Sequence, residues 1–421
     1  MNHAPHITVK ALCLALCLAA ANIGAAQQRL VAEVKKNIGA LTLSAKNLQN
    51  EANKLKPALT NDATKDNAET WYVAGKIQYA IYDKLISARS TGQKVDPTAL
   101  GNALIAGYDY FRHALRIDTI IERDKDGIAK IDRKTGKPKF KTKYSDDIIS
   151  RMAAHLNDYN QSGSQLYNVK NWDGATRAWD IFCQLAPVAK KHKHTLVPDS
   201  MLAKARYYQG IASWQAGNNR LAAERFQQAR TMGYHHKEAY DYALICLSSL
   251  KDEAGIVAIA KEAYNRFGTT DPQYIRILIN NYIDNKNFSD ANILLDKALQ
   301  QNDNDDELHN LKGLVVEQQS GLDDALPHFK RCIELNPNNP QGLYNVGRYY
   351  YNQAANLIEQ NPNLRGRALS KRVDPLYRQA MPHLEQSLQL DPTNDDVRNA
   401  LRNIYYKLGL GAKLDALEKR N

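Results

Sequence analysis

The chain carries acidic pairs and clustered histidines whose residue types could hold a metal ion or move a proton. The acidic pairs come just before or early in predicted helices, where the positive end of the helix dipole stabilises a negative charge. We therefore interpret them as helix-capping residues: Asp305-Asp306, Asp323-Asp324 and Asp395-Asp396. The histidines lie in predicted connections without a carboxylate or cysteine to complete a ligand set; they are His192, His194, His235 and His236. Neither group predicts a metal site.

An acidic stretch that begins at Glu122 superficially resembles a calcium-binding loop. Asp124 and Asp126 supply carboxylates, and Gly127 supplies a turn residue. Such a loop needs a bidentate glutamate as its twelfth residue, and Arg133 occupies that position. The sequence therefore argues against calcium binding here.

The sequence has no recognisable catalytic motif. It lacks a glycine-rich phosphate loop, a G-x-S-x-G nucleophile elbow and an H-E-x-x-H zinc motif. The cysteines beyond residue 26 lie in helical patterns and are predicted to be small, buried core residues: Cys183, Cys246 and Cys332. We predict no catalytic residue, cofactor or metal, and an enzyme with an unrecognised site ranks below the binding functions.

The chain of 421 residues is basic, with a formal net charge of +11 at pH 7. Nine Lys or Arg and three Asp lie between Arg123 and Lys143, which leaves a surplus of six positive charges. A basic surface of this kind attracts anions. Sparse apolar residues surround Lys134-Thr135-Gly136-Lys137, a pattern that predicts a β-hairpin or extended loop. We name this insertion, residues 120–146, the basic arm.

A period of 34 residues organises most of the remaining chain. Gly313 and Gly347 are 34 residues apart, as are Ala291 and Ala325. Gly313 lies in a short amphipathic helix and is small enough for a neighbouring helix to press against its backbone. The next helix carries Ala325 and Phe329 at i and i+4, which places them on one face. The pattern predicts repeated pairs of antiparallel helices.

This period, with its small and aromatic residues at fixed places, resembles the tetratricopeptide repeat (TPR). The first unit opens with Trp71, Ala74 and Gly75, which match the W-x₂-L-G opening of that family except for the alanine. The resemblance covers residues 67–392 in about seven units, of which the first and seventh are extended. It implies an all-α fold, a right-handed solenoid of helical hairpins, interrupted by the basic arm as one loop or β-hairpin insertion.

The two ends of the chain differ from the repeats. Lys10, the apolar run Ala11–Ala21 and the small residues Gly24-Ala25-Ala26 are typical of a secretory signal peptide. We therefore assign residues 1–26 to a signal peptide and predict an exported, periplasmic protein. Eleven apolar residues are too few to span a bilayer, which needs roughly 20, and no transmembrane segment is predicted. Residues 27–66 are expected to form an N-terminal helical cap and linker, and residues 393–421 the C-terminal capping helices.

The signal peptide, the TWYVAG opening and the terminal NIYYKLG segment together resemble secreted TPR proteins of Bacteroidetes. That resemblance implies an adaptor in the periplasm or cell envelope, with no catalytic residues to transfer. Because exported proteins rarely meet nucleic acid, we do not expect nucleic acid as a partner. No pattern in the sequence indicates the oligomeric state.

The first helix of each unit carries a second stripe of residues, offset by one position from its packing face. In the seventh unit Leu343 and Gly347 pack inward, and the stripe is Tyr344, Arg348 and Tyr351. In TPR proteins this stripe lines the concave groove that receives a peptide or partner helix, and Tyr, Trp and Arg are enriched at binding hot spots. The predicted partner-binding residues are Tyr72, Lys76, Tyr79, Tyr207, Trp214, Arg276, Asn280, Tyr344, Arg348 and Tyr351.

Two functions follow from these patterns. The leading hypothesis is a non-catalytic exported scaffold or adaptor that binds a protein or peptide partner in the cell envelope through its concave groove. The alternative is an anion-binding envelope module that uses the basic insertions on lipopolysaccharide or another polyanion. For the stripe itself, simple contact between adjacent repeats is the competing interpretation. If the stripe is a binding surface, alanine replacements in it should leave the fold intact.

Overall fold

The computed structural model describes residues 24–39, 43–192, 196–268 and 272–419. These residues are mainly helical, and the chain divides into two compact units, Met1–Lys251 and Asp252–Asn421. The prediction of an all-α fold of helical hairpins with a β-hairpin insertion is confirmed. The predicted signal peptide lies outside the described residues except for residues 24–26, and His194 lies outside them as well.

The first unit contains ten described helices and one small sheet. The helices are α1 (residues 24–37), α2 (Ala45–Leu55), α3 (Ala68–Ser90), α4 (Pro97–Ile117), α5 (Ser145–Ala154), α6 (Leu156–Asn168), α7 (Trp172–Lys191), α8 (Asp199–Gln215), α9 (Asn219–Thr231) and α10 (Lys237–Ser249). A 3₁₀ turn, Lys56–Leu59, follows α2. The strands β1 (Ile120–Ile121) and β2 (Phe140–Lys141) pair antiparallel between α4 and α5.

The second unit contains nine described helices. They are α11 (Glu253–Phe267), α12 (Gln273–Asp284), α13 (Phe288–Gln301), α14 (Asp306–Ser320), α15 (Leu322–Leu335), α16 (Pro340–Gln360), α17 (Gly366–Leu390), α18 (Asp395–Lys407) and α19 (Gly411–Glu418). The pairs α3/α4 and α16/α17 have 21 to 25 residues in each helix, whereas α14 and α15 have 15 and 14. The extra turns lie in the first and seventh predicted repeats.

The helices begin where short polar side chains can satisfy the free backbone N–H groups of the first turn. Asn171 and Asn218 each accept a hydrogen bond from a backbone N–H three residues later. Lys170 and Gly217 precede these caps in the left-handed region, with φ of 61° and 79°. Asp305 caps α14 in the same way, which is the role predicted for the acidic pairs. A tight turn and a cap therefore recur between the two helices of a hairpin.

Five hairpins close on a glycine in their first helix. A Cβ added to that glycine would lie only 2.4 to 2.7 Å from a side-chain atom of the second helix. The pairs are Gly75–Phe111, Gly163–Trp179, Gly210–Phe226, Gly313–Phe329 and Gly347–Leu384. In three of them, Gly163, Gly210 and Gly313, the aromatic partner follows sixteen positions later (179, 226 and 329). This close approach is the physical basis of the repeat that the sequence predicts.

A buried carboxylate holds the base of the basic arm to the helical body. Asp118, directly after α4, accepts hydrogen bonds from the backbone N–H groups of Lys143, Tyr144 and Ser145 at 2.7 to 3.1 Å. The Ser145 hydroxyl donates a further bond at 2.8 Å. Burial alone would raise the pKa of Asp118, but these hydrogen bonds outweigh it and hold the pKa below its ordinary value of 3.8. Asp118 thus clamps both ends of the arm to the start of α5.

Candidate binding site

The predicted stripe of the first repeat, on α3, lies largely in the packing between helices. Tyr79 is only 3% exposed, its hydroxyl lies 2.6 Å from that of Tyr159, and its ring packs edge-on against Phe111. Burial, the largest cause, raises its pKa well above the ordinary tyrosine value. The assignment of Tyr79 to a partner-binding groove is therefore wrong: Tyr79 is a core residue that joins α3 to α6.

Tyr72 and Lys76, on the same helix as Tyr79, are also engaged within the fold. The Tyr72 hydroxyl donates to Asp147 Oδ2 at 2.8 Å, and its ring stacks on Tyr144 at 4.4 Å between centroids. Burial and the Asp147 carboxylate raise the pKa of Tyr72 to about 12. The Lys76 ammonium lies 5.5 Å from the Tyr72 ring centroid and stays partly accessible. Tyr72 is buried and Lys76 is half-buried.

The stripe residues of α8 contact the segment that follows α9. The Tyr207 ring stacks on Tyr234 at 4.6 Å, and burial raises the pKa of Tyr207. Trp214 lies 5.0 Å from Tyr242 of α10. Both residues are half-buried, so each offers part of a ring to a partner while it supports the next helix.

In the second unit, Arg276 of α12 forms ion pairs with the start of α14. Its Nη2 lies 2.5 Å from Asp305 Oδ2, and its Nη1 lies 2.6 Å from Glu307 Oε2. Asn280, one turn further along α12, is exposed. Of this pair, only Asn280 has its side chain mainly in solvent.

The stripe of α16 is half-buried and connects three successive first helices. Arg348 donates two hydrogen bonds to the Glu317 carboxylate of α14, at 2.8 and 2.6 Å, and its guanidinium lies 5.8 Å from the Tyr344 ring centroid. Burial would lower the pKa of Arg348, but the bonds to Glu317 raise it above its ordinary value. The Tyr351 hydroxyl accepts a hydrogen bond from Asn403 of α18 at 2.6 Å. The contact between adjacent repeats, which was the competing interpretation, is therefore a large part of this stripe's role.

A different set of residues forms an open cleft between two first helices, α6 and α8. We name it the Tyr208 cleft, and its volume is about 500 Å³. The α6 wall has Asn160, Ser164, Tyr167 and Asn168, the α8 wall has Met201, Lys204, Ala205 and Tyr208, and Trp179 of α7 forms the floor. Trp179 reaches this floor because its ring covers Gly163, where no side chain intervenes. The cleft therefore depends directly on the glycine–aromatic closure of the second hairpin.

The Tyr208 cleft combines flat apolar surface with hydrogen-bonding groups. Tyr208 stacks on Trp179 at 5.8 Å between centroids and is 38% exposed. The Lys204 ammonium lies 5.9 Å from the Tyr208 ring centroid, and Trp179 Nε1 donates to Asn160 Oδ1 at 3.1 Å. Met201, 41% exposed, lies on the α8 wall. An apolar or aromatic side chain can pack on the exposed part of Tyr208, while polar groups on the wall bind a peptide backbone.

Sequence reasoning missed this cleft although a signal was present. Asn160, Ser164 and Tyr167 lie at i, i+4 and i+7, and Lys204 and Tyr208 lie at i and i+4, so each group occupies one face of a helix. The prediction placed the binding stripe one residue after the helix face that contains the packing glycine. In α8 this offset selects Tyr207. The exposed face of α8 is the neighbouring one, which contains Tyr208.

Among the described residues, no group of three or more His, Cys, Asp or Glu could hold a metal ion. The three cysteines within the described ranges are buried: Cys183, Cys246 and Cys332. Within the part of the chain that the structure describes, no helix is both long and apolar enough to cross a membrane.

No protein-family model and no curated protein matches the chain. Solved structures do resemble it. The C-terminal part of a TPR repeat-containing protein from Cytophaga hutchinsonii is 16% identical and has a TM-score of 0.39, covering 61% of this chain and 94% of its own. A TPR repeats protein from Bacteroides fragilis is 14% identical with a TM-score of 0.27, covering 60% and 98%. YrrB, described as a TPR protein with an unusual peptide-binding site, is 17% identical with a TM-score of 0.24, covering 57% and 89%.

These TM-scores are low, so the class of the protein rests on the geometry of its own hairpins. A glycine in the first helix, with an aromatic residue or leucine of the second helix packed onto it, is a feature of the tetratricopeptide hairpin, and it recurs in both units. The chain has a fold of paired antiparallel helices of the tetratricopeptide type. Stacked helical hairpins of this kind present extended surfaces.

Proposed function

We propose that the protein is an exported, non-catalytic scaffold that binds a protein or peptide partner, and that the Tyr208 cleft is its main contact surface. The observation that carries the proposal is the pair of helix faces that α6 and α8 turn toward each other over the Trp179 floor. Aromatic side chains contribute much of the energy at interfaces because they bury a large area with little loss of conformational freedom.

The chemistry of the cleft favours a particular kind of ligand segment. The half-exposed Tyr208 ring, which stacks on the buried Trp179 ring, presents apolar surface for one apolar or aromatic anchor residue. Asn160 and Ser164 supply an amide and a hydroxyl on the facing wall, where they can bind backbone groups that would otherwise lose their hydrogen bonds to water. Lys204 adds a positive charge at the rim. We therefore expect a peptide segment with an apolar anchor and an acidic neighbour.

Site-specific photo-cross-linking in cells tests this proposal. A photoreactive residue in place of Met201, on the cleft wall, should trap one dominant partner. The same residue in place of Tyr406, which is 72% exposed on α18, serves as the control and should not trap it. Equal recovery of the partner from both positions would exclude the cleft as the specific contact surface.

The trapped partner then allows a matched affinity measurement. Tyr208→Ala should weaken its binding by about 2 kcal/mol, roughly thirtyfold, as for a hot-spot aromatic residue. Tyr208→Phe keeps the ring and should bind almost as the parent does. Tyr406→Ala, the same truncation at an exposed site, should change affinity less than about threefold. An unaffected Tyr208→Ala variant would place the partner elsewhere.

Export is a separate part of the proposal and has its own test. Its support is the charged, apolar and small-residue pattern of residues 1–26. Cell fractionation should find the protein in the periplasm, and its N-terminal sequence should begin at Gln27. Recovery of a cytoplasmic protein that retains residues 1–26 would contradict export without affecting the cleft.

A further inference from the structure

The basic arm is an amphipathic sheet, and the pairing of its strands defines its two faces. Ile121 pairs directly with Phe140. A bridge further along joins Ile131 to Pro138. Residues paired across antiparallel strands lie on one face, and residues two apart along a strand share that face. Ile121, Ile131, Pro138 and Phe140 therefore share one face with Ala129 and Arg123. We name the surface of the first four residues the apolar face of the arm.

The opposite face of the arm carries most of its paired charges, beside Ile120. By the same alternation, Glu122, Lys130 and Lys139 lie away from the apolar face, and the ion pair between Lys130 Nζ and Glu122 Oε2 at 3.6 Å agrees with this assignment. The two turns of the arm add exposed cations at the rim of the sheet, namely Lys125, Arg133 and Lys134. The arm thus presents an apolar surface surrounded by positive charge.

The apolar face has no cover among the described residues. Ile131 is 50% exposed and Phe140 is 55% exposed. A second copy of the arm is a poor occupant, because each copy carries a surplus of six positive charges between residues 123 and 143 and like charges repel. The occupant must therefore offer both apolar surface and negative charge.

We propose that the basic arm docks on the surface of an anionic lipid bilayer. Ile131 and Phe140 would enter the boundary between headgroups and acyl chains, and the rim cations Lys125, Arg133 and Lys134 would contact lipid phosphates. Apolar insertion and electrostatic attraction act together in interfacial binding of this kind. The Asp118 clamp holds the base of the arm to α5, so a docked arm attaches the first unit to the membrane. The proposal rests on the arm alone and is independent of the cleft's partner.

Flotation of the purified protein with lipid vesicles tests the docking. The parent protein should bind vesicles of equal phosphatidylglycerol and phosphatidylcholine and should not bind vesicles of phosphatidylcholine alone. Ile131→Thr/Phe140→Thr keeps the charge and the β-branched preference for strands, and should weaken binding about tenfold or more. Its matched control replaces two exposed helix isoleucines, Ile245 and Ile293, with threonine and should bind as the parent does.

The electrostatic part is tested by removal of three rim charges. Lys125→Gln/Arg133→Gln/Lys134→Gln should weaken vesicle binding on the order of a hundredfold. The control Lys94→Gln/Lys261→Gln/Lys371→Gln removes three exposed charges outside the arm and should bind nearly as the parent does. Failure of the parent protein to bind anionic vesicles, equal binding to both vesicle types, or parent-like binding by either arm variant would each overturn the proposal.

Discussion

A Cβ added to Gly313 would lie 2.4 Å from Cε1 of Phe329, closer than real non-bonded carbon atoms approach. The two residues bring α14 and α15 together, and Phe329 is fully buried by this contact. The same relationship closes the hairpins of Gly163 and Gly210. A single methyl group at this position therefore tests whether the hairpin geometry holds the fold together.

Gly313→Ala is expected to destabilise the protein by about 1–3 kcal/mol, because the added methyl overpacks a closed contact. Helix propensity alone would make the change stabilising, because alanine favours a helix over glycine by about 1 kcal/mol. A loss of stability must therefore come from the packing. Urea denaturation measures the change. Gly411→Ala, at a helical glycine with no atom within 4 Å of the added Cβ, is the matched control and should be neutral or slightly stabilising. Equal stability of both variants would contradict the close packing.

Arg348→Ala should destabilise the second unit by about 1–3 kcal/mol. The change leaves the largely buried Glu317 carboxylate without its two charge-assisted hydrogen bonds. Alanine replacements in this stripe should leave the fold intact only if it is a binding surface, and the contacts of Arg348 predict a loss of stability instead. Arg331→Ala is the control, since its contact with Glu334 is 3.4 Å long and exposed, and should change stability by less than about 0.5 kcal/mol.

A double-mutant cycle isolates the Arg348–Glu317 contribution. The losses of Arg348→Ala and Glu317→Ala should not add, and a coupling energy of about 1 kcal/mol or more is expected for groups in direct contact. Additive losses would mean that Arg348 acts mainly through partners other than Glu317.

The Asp118 clamp should give the protein a defined dependence of stability on pH. Its folded-state pKa is lower than the ordinary value of 3.8. Its contribution is therefore fully present above pH 3.8 and is lost as the pH falls through the folded-state pKa. Asp118→Asn should be less stable than the parent by about 1–3 kcal/mol at pH 7. The difference should begin to narrow below about pH 4, where the unfolded parent binds a proton at Asp118 that the folded parent does not yet bind.

Urea denaturation at pH 7, 4 and 3 measures this difference. A gap between parent and Asp118→Asn that stays constant down to pH 3 would show that the ionised carboxylate is not what holds the arm. No gap at any pH would show that the clamp does not contribute to stability.

Shortening of the basic arm should leave the helical body nearly unchanged. Because Ile121 and Phe140 pair directly, residues 122–139 can be replaced by the two-residue turn Asn-Gly, which suits an antiparallel hairpin. The melting temperature should change by less than about 2 °C, since the removed residues are exposed and outside the core. Circular dichroism measures the melting.

Tyr144→Ala is the contrasting change at the base of the arm. Tyr144 is buried and stacks on Tyr72, so its truncation should destabilise the protein by about 3 kcal/mol. Cooperative unfolding of the shortened-arm variant would show that the arm belongs to the core of the first unit.

The sequence by itself determined the repeated hairpin. The spacing of Gly163 to Trp179 or of Gly313 to Phe329 lies within one pair of neighbouring helices, where local chain geometry decides which residues meet. The turn residues of the basic arm are equally local, and they predicted its β-hairpin. Short-range patterns of this kind can be interpreted without a structure, because few arrangements of a short chain segment satisfy them.

Only the tertiary structure decided which faces of the first helices remain open. Tyr79 and Tyr208 are both aromatic residues on first helices, yet Tyr79 is sealed by Tyr159 of α6, whereas Tyr208 borders a cleft. Their exposure depends on how successive hairpins pack, through contacts between residues such as Trp179 and Tyr208 that lie on different repeats. The period of a helix shows which residues share a face, but it does not show which neighbouring element packs against that face. The neighbour is set by the rotation and spacing of whole hairpins, which no local pattern in the sequence encodes.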